Sequence, residues 1–272
     1  MIAAYRADRN LNHLIDAAIA LELIHTASLL HDDVIDQAAT RRGKDALHVK
    51  WSNKISVLSG DYLLSQAFKI LVNYNNSELL AVVVDIVEKM SEGEIEQAFA
   101  SIDNSDLESR YFQWIGKKSA SFFSGCCQAG SLMSGGSKKE QEAWVEYGYN
   151  LGMAFQLVDD LLDYTGQKNI TGKPLYGDLN NRVITLPLIR TINASFVGEP
   201  VHEHFMSDKA TSSQIGKVAQ AVVDGEGPHY TYEKAKYYVE CAAALIAELK
   251  PETQEKKAIL EQLPRDVLMR SK

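Results

Sequence analysis

The pattern of apolar and polar positions predicts helices along almost the whole chain. The first 173 residues contain no proline, and apolar residues recur there with a helical period, as in Leu14, Ala17, Leu21 and Ile24. Strand-type alternation and hairpin turns are lacking. We predict helices at about 13–36, 54–72, 78–101, 106–135, 138–165, 183–195, 211–223, 230–249 and 253–270.

The connections between these helices are short, and no internal repeat appears. We predict loops at 40–51, 73–77, 134–137 and 167–178. The pattern is typical of one all-α domain covering residues 1–272. The helices at 13–36 and 138–165 are nearly apolar all round except at their acidic ends, so we expect both to be central and buried.

Composition and charge narrow the class of protein. The chain has 272 residues, of which 46% are hydrophobic, which is enough for a large core. Its net charge of −8 argues against a nucleic-acid partner. The first residues do not resemble a signal peptide and the apolar runs are interrupted, so no membrane-spanning helix is expected. Three cysteines without disulfide or zinc spacing favour a reducing cytoplasm.

Two copies of one acidic pattern, D-D-x-x-D, carry most of the chemical information. They are Asp32-Asp33-Val34-Ile35-Asp36 and Asp159-Asp160-Leu161-Leu162-Asp163. On a helix, residues i, i+1 and i+4 lie at about 0°, 100° and 40° around the axis, so each copy should place three carboxylates on one face. Their mutual repulsion favours a bound cation, and Mg²⁺ accepts carboxylate together with phosphate oxygens.

The simpler alternative is a pair of solvated acidic surfaces. Two copies on apolar helices favour the metal site. The position of Asp32, Asp33 and Asp36 at the end of the first helix adds to this, because the helix dipole disfavours anions there.

Cationic residues follow each acidic cluster. Arg41 and Arg42 come after the first, and a guanidinium group suits phosphate oxygens. Gln156 lies one turn before Asp160, and Lys173 lies on the glycine-bearing loop beyond it. The arginines could instead pair with the nearby aspartates, and Lys118 could simply extend to solvent from an apolar helix. No P-loop or Ser-His-Asp arrangement is present.

These residues resemble those of trans-type isoprenyl diphosphate synthases, especially the bacterial medium- and long-chain polyprenyl diphosphate synthases. Class I terpene cyclases, a weaker alternative, usually carry a different second metal motif. The matching stretches are Glu22–Asp36, Arg41-Arg42-Gly43, Ser59–Leu64, Glu92-Gly93-Glu94 with Gln97, Lys118-Ser119-Ala120, Gly152–Asp163, Gly172-Lys173, Asp178-Leu179 and Thr185–Ile189.

The resemblance implies an all-α bundle of roughly ten helices around a central cavity, of the isoprenoid synthase type. It also implies about two or three Mg²⁺ ions bridging an allylic diphosphate. The residues implied in metal binding are Asp32, Asp36 and Asp159, with Asp33, Asp160 and Asp163 in support. The residues implied in binding the diphosphate are Arg41, Lys118 and Lys173.

The second substrate implied by the resemblance is isopentenyl diphosphate, whose double bond attacks the allylic carbocation. His25 and Arg42 match positions that bind it, and Ser119 and Gln156 match positions near the reacting carbons. Outside the motif, His25 would be interpreted as a buried core histidine. The product would be a trans-polyprenyl diphosphate.

The resemblance also bears on product length. In this family, residues one turn before the first motif shape the floor of the tunnel for the growing chain. Ala27 and Ser28 are small, with Ile24 and Leu21 one and two turns deeper. We therefore expect a product longer than C20, which should shorten if Ala27 or Ser28 becomes Phe.

Two departures from the family pattern leave alternatives open. Met1-Ile-Ala-Ala-Tyr5 aligns just after a Gly-Lys-x-x-Arg-Pro motif that binds isopentenyl diphosphate, so the N-terminal helix used in dimer packing is not expected here. The chain would be truncated, begin at a wrong start site, or be a degenerate member. Arg182 and Val183 also stand where many members have Gly-Lys.

Two hypotheses follow from these departures. The first is an active elongating enzyme, homodimeric, with at most peripheral membrane contact for product release. The second is a non-catalytic or regulatory subunit of a heteromeric enzyme. Affinity for isopentenyl diphosphate would distinguish them.

Overall fold

The computed structural model describes residues 11–41, 43–102, 106–166, 175–193, 211–249, 251 and 253–270. The all-α prediction is confirmed. The helices are α1 (Leu11–Ile35), α2 (Leu47–Lys50), α3 (Asn53–Val72), α4 (Ser77–Ala98), α5 (Leu107–Ile115), α6 (Ser121–Met133), α7 (Lys138–Thr165), α8 (Gly177–Asn180), α9 (Leu186–Asn193), α10 (Ser212–Asp224), α11 (Gly227–Leu249) and α12 (Gln254–Met269). The single-domain organisation stays a prediction.

Helix ends agree with the sequence where capping signals are clear. Ser137, in the predicted loop at 134–137, caps α7, and its backbone N–H in turn donates to the Glu140 carboxylate at 2.8 Å. Two predicted starts were wrong. Residues 183–185 are not helical, so α9 begins at Leu186, and α11 begins at Gly227 because Pro228 is tolerated in a first turn.

The prediction that hairpins are lacking was wrong for one short segment. Within the predicted loop 40–51, Thr40–Arg41 pairs antiparallel with Lys44–Asp45, and α2 follows directly. Gly43 has a φ of 73°, which glycine adopts without strain. Strands of two residues have no periodicity to detect, but this hairpin carries Arg41 back towards the first acidic cluster.

The helix predicted at 106–135 is interrupted by a π-helical turn, Gly116–Ala120, between α5 and α6. Two glycines let neighbouring helices approach this turn closely. A Cβ on Gly93 of α4 would lie 2.5 Å from the backbone nitrogen of Lys118, and one on Gly152 of α7 would lie 2.6 Å from Ala120 Cα. The turn is therefore held between α4 and α7, and such π-turns are frequent at functional sites.

The predicted burial of the two apolar helices is confirmed for α7 but only partly for α1. Most of α7 beyond Ala143 is buried against α5, α6, α11 and α12. In α1 one face packs on α3, α4 and α6, whereas Leu11, Ile15 and Ile19 form an exposed stripe, each 45% exposed. Sequence periodicity cannot predict which of two apolar faces packs against the helices of the core.

Two helices, α1 and α3, are long and apolar enough to cross a membrane by length and composition alone, with 33% and 22% of the relevant windows buried. Core helices of soluble proteins pass the same test. These two helices pack on one another, and α1 carries the first acidic cluster. The expectation of no membrane-spanning helix stays a prediction.

Candidate active site

The three aspartates of the first cluster do not share one environment. Asp33 is 2% exposed, and its carboxylate accepts a 2.6 Å hydrogen bond from Arg41 Nε. Asp32 and Asp36, one turn apart, are only partly buried. The sequence prediction that the three carboxylates act together is therefore corrected, because the hairpin brings Arg41 to Asp33 and engages that carboxylate. Arg41 pairs with an aspartate here, as the simpler interpretation of the arginines expected.

The environment of Asp32 and Asp36, the outer two residues of this cluster, disfavours their charged forms. Burial raises the pKa of Asp32 to about 6, with Lys118 opposing the shift and Glu94 and Asp36 adding to it. Burial likewise raises the pKa of Asp36. Buried like charges of this kind are stabilised by a cation.

The second cluster is divided in the same way. Asp160 is 4% exposed, and its carboxylate accepts hydrogen bonds from Tyr111 Oη at 2.6 Å and Gln156 Nε2 at 2.7 Å. Asp163 accepts from the backbone N–H groups of Gly177 and Asp178, which fixes the start of α8. Asp160 and Asp163 thus support the site from the protein side.

Asp159 is the third member of the second cluster and contacts the end of the chain. Its carboxylate lies 3.7 Å from the guanidinium of Arg270, just beyond α12. That guanidinium also lies over the ring of Phe155, 4.7 Å from its centre. Sequence analysis did not identify Arg270, since a single arginine near a terminus carries no motif.

The π-turn connects the two clusters. The ammonium of Lys118 forms a 2.5 Å ion pair with Glu94, donates to Gln97 Oε1 at 3.0 Å, and influences the titration of Asp32 and Asp36. The hydroxyl of the next residue, Ser119, donates to Gln156 Oε1 at 2.5 Å.

Because Gln156 donates in turn to Asp160, Ser119 is linked to the second cluster, while the charge of the neighbouring Lys118 acts on the first. The interpretation of Lys118 as an active-site residue therefore fits the structure better than a lysine extending to solvent.

The predicted tunnel residues lie on α1 before the first cluster. Ser28, one turn before Asp32, shares its face, and its hydroxyl donates to the carbonyl of His25 at 2.9 Å. The His25 ring packs against Phe122 of α6 with ring centres 5.4 Å apart. This face of α1 is therefore directed towards α6.

The other predicted tunnel residues, Leu21, Ile24 and Ala27, are fully buried. Ala27 precedes His31 by one turn, and His31 packs on Gly60 of α3, so Ala27 lies nearer the α3 side of the helix. Ser28 is thus the better placed of the two small residues to border a tunnel between α1 and α6.

Two predicted binding residues, Arg42 and Lys173, lie outside the described residues. The structure adds four that the motif analysis did not assign to the site: Tyr111, Glu94, Gln97 and Arg270. Glu94 and Gln97 could have been found from their spacing in Glu92-Gly93-Glu94-x-x-Gln97, since residues three apart share a helix face.

The carboxylates of the two clusters could supply only part of the ligands that a hard divalent cation needs. In the described ranges, no three acidic, histidine or cysteine side chains converge closely enough to hold an ion alone. Mg²⁺ usually binds through one or two carboxylates and takes its other oxygens from water and phosphate. Asp32, Asp36 and Asp159 are the carboxylates that the resemblance implies in metal binding, and they fit that pattern.

The buried Asp160 predicts a pH-dependent stability. Its pKa is raised by burial from 3.8 to about 7, so between these values the folded protein binds more protons than the unfolded chain. The free energy of unfolding should therefore fall by about 2–4 kcal/mol as the pH rises from 4 to 7. Urea unfolding in EDTA should show this slope in the wild type and a flatter one in Asp160→Asn. The matched control, Asp85→Asn on the surface, should keep the wild-type slope; equal slopes in all three proteins would contradict the assignment.

Comparison with known proteins agrees with this site. The chain matches the polyprenyl synthetase family over residues 1–222. Its structure superposes on that of a polyprenyl synthase from Caulobacter crescentus, solved with calcium and isoprenyl diphosphate, with a TM-score of 0.93 and 32% identity. That match covers 100% of this chain and 82% of the other. The fold is therefore that of the all-α isoprenoid synthases.

Curated relatives give the same result. Octaprenyl diphosphate synthase of Haemophilus influenzae is 32% identical, with 90% of this chain and 75% of the relative aligned. Heptaprenyl diphosphate synthase component 2 of Bacillus subtilis is 34% identical, with 70% and 54% aligned. The chain belongs to the polyprenyl synthetase family, whose members are prenyltransferase enzymes.

Proposed function

We propose that the chain condenses isopentenyl diphosphate with an allylic diphosphate and releases a trans-polyprenyl diphosphate longer than C20. One observation supports this most strongly. The π-turn links Ser119 through Gln156 to Asp160 of the second acidic cluster, and it carries Lys118, whose charge acts on Asp32 and Asp36 of the first. A diphosphate held between the clusters would have its reacting carbon near this turn.

The acidic residues would hold Mg²⁺, about two or three ions, through Asp32, Asp36 and Asp159. Bound there, the metal would neutralise the leaving diphosphate and so favour ionisation to an allylic carbocation. Asp33 would keep Arg41 in place beside the cluster, because the two are already joined at 2.6 Å. Asp163 would hold the segment that starts α8.

The remaining polar residues would bind and orient the substrates. Lys118 supplies a positive charge for the diphosphate. Burial acts to lower the pKa of Lys118, but the negative charges of Glu94 and Asp32 raise this pKa overall. The lysine is therefore charged at neutral pH. Gln156 is fixed by Asp160 on one side and Ser119 on the other, and this fixed amide would border the reacting carbons.

The direct test is an incubation with Mg²⁺, farnesyl diphosphate and labelled isopentenyl diphosphate, with products sized by chromatography. We expect labelled polyprenyl diphosphates longer than C20. Products of C20 or shorter would contradict the proposed length. Absence of incorporation would contradict the proposed catalysis by this chain.

The alternative is a non-catalytic or regulatory subunit of a heteromeric synthase. It is favoured by the relative in Bacillus subtilis, which is called component 2 of a heptaprenyl diphosphate synthase. Calorimetry with isopentenyl diphosphate and Mg²⁺ distinguishes the two functions. An elongating enzyme should bind it and turn it over, whereas a chain that neither binds nor incorporates it would support the subunit.

We infer a homodimer from the apolar surface of α3 and α4. Leu58 and Tyr62 on α3 are 52% and 63% exposed, and Ile95 and Phe99 near the end of α4 are 57% and 77% exposed. The two helices are consecutive in the chain, joined by residues 73–76, and each presents large apolar side chains to solvent. Apolar patches of this kind mark protein interfaces.

Changing Leu58 to Glu should weaken this dimer by at least about 100-fold, because an isologous interface contains each substituted side chain twice. Sedimentation velocity across a concentration series measures the change. Ile19→Glu, on the exposed stripe of α1, is the matched control and should leave association unchanged. Dissociation caused by Ile19→Glu and not by Leu58→Glu would place the interface elsewhere.

A further inference from the structure

The two consecutive lysines of the π-turn have separate carboxylate partners on α4. Lys117 lies 3.0 Å from Glu92 and 2.6 Å from Glu96, which are one turn apart on one face of that helix. Lys118 lies 2.5 Å from Glu94, on the other face. Helix α4 therefore separates an outward ion-pair cluster from an inward pair.

The inward pair is the more enclosed of the two. Its side chains are 25% and 20% exposed, against 36% to 49% for the side chains of the outward cluster. Gln97 also accepts from the Lys118 ammonium at 3.0 Å. Screening by water is weaker in such a position, so Glu94 constrains the lysine more strongly than a surface partner would.

Glu94 is the carboxylate that the Lys118 ammonium contacts, at 2.5 Å, and Gln97 accepts from the same ammonium. The negative charge of Glu94 and the positive charge of Lys118 act in opposite directions on both Asp32 and Asp36. Lysine carries its charge on a flexible stem of four carbons. Without Glu94, this charge would be drawn to the two aspartates, where it would oppose a bound cation.

From these contacts we infer that Glu94 is a positioning residue, which holds Lys118 apart from Asp32 and Asp36 so that the cluster can bind metal and the lysine can bind the allylic diphosphate. The inference rests on the proposed function. Glu94 touches neither substrate nor metal in this role and acts only through the lysine.

The test compares Glu94→Gln with Glu92→Gln in the full chain. For Glu94→Gln, the half-saturating Mg²⁺ concentration and the KM for farnesyl diphosphate should each rise roughly 10-fold, the scale of one charge-assisted contact, while the KM for isopentenyl diphosphate should change less than about 2-fold. For Glu92→Gln, whose partner Lys117 points away, all three should stay within about 2-fold. Thermal unfolding of both variants verifies that they are folded.

A Lys118→Ala background shows whether Glu94 acts by positioning the lysine or has a role independent of it. If Glu94 acts through the lysine, adding Glu94→Gln to Lys118→Ala should change these quantities less than about 2-fold. An undiminished effect in that background, or wild-type behaviour of Glu94→Gln, would overturn the inference. Calorimetry of farnesyl diphosphate with Mg²⁺ makes the same comparison without turnover, so an inactive wild type would contradict the proposed function while the positioning role is still tested.

Discussion

Asp32→Asn should lower kcat by about 10²–10³-fold, because it removes one of the charges that hold the cation at the leaving diphosphate. The substitution keeps the shape of the side chain, so the effect reports the charge. Asp32 is the residue to choose because burial raises its pKa to about 6 and it lies near Lys118. Steady-state kinetics at several Mg²⁺ concentrations measures the loss, and the half-saturating concentration should rise as well.

The matched control is the neighbouring aspartate. Asp33→Asn should lower kcat by about 10-fold or less, because the Asp33 carboxylate is engaged with Arg41. Equal losses in the two variants would show that all three aspartates of the cluster act on the metal in the same way. The division of each cluster into metal-binding and supporting members would then be wrong.

Ser28→Phe should shorten the product to C20 or less while preserving the early condensations. Ser28 lies one turn before Asp32 on the same face of α1, in front of His25 and Phe122 of the neighbouring helix. An aromatic ring there would fill the space into which the growing chain extends. Chromatography of the labelled products measures the change in length.

Position on the helix provides the control for added bulk. Ile19→Phe adds an aromatic ring to the same helix on its exposed stripe, and product length should be unchanged. Unaltered products from Ser28→Phe would place the tunnel elsewhere. Ala27→Phe is a less direct probe, because Ala27 is fully buried and an inserted ring would also strain the packing against α3.

Helical periodicity predicted most of the fold because it depends only on local spacing. It placed the acidic clusters near the ends of α1 and α7 and set Gln156 one turn before Asp160, whereas Lys118 and Ser119 were assigned to the site through the resemblance to a family. Periodicity alone did not predict the π-turn, since one extra residue within a helix hardly changes an apolar pattern. Helix spacing alone also treats the members of each cluster as equivalent; the resemblance implied that Asp33 and Asp160 have supporting roles, and the structure shows their partners, Arg41 and Tyr111.

Other features depend on contacts between distant parts of the chain. Arg270 reaches Asp159 from more than a hundred residues away, and no local pattern indicates such a contact. The exposed stripe of α1 is apolar like the buried faces, so only its neighbours in space distinguish it. Burial of Asp160, and hence its raised pKa, follows in the same way from the packing of α5 on α7.

The π-turn also makes the active site sensitive to helix phase. An α-helix would carry Lys118 and Ser119 about 100° apart, with every later residue of α6 rotated relative to its present neighbours. Deleting one residue from Gly116–Ala120 would instead restore a continuous α-helix in which α6 keeps nearly its present phase, so Phe122 would stay against His25 while the lysine moves. No side-chain substitution could return the lysine to its place, because the number of backbone residues in the turn would have changed.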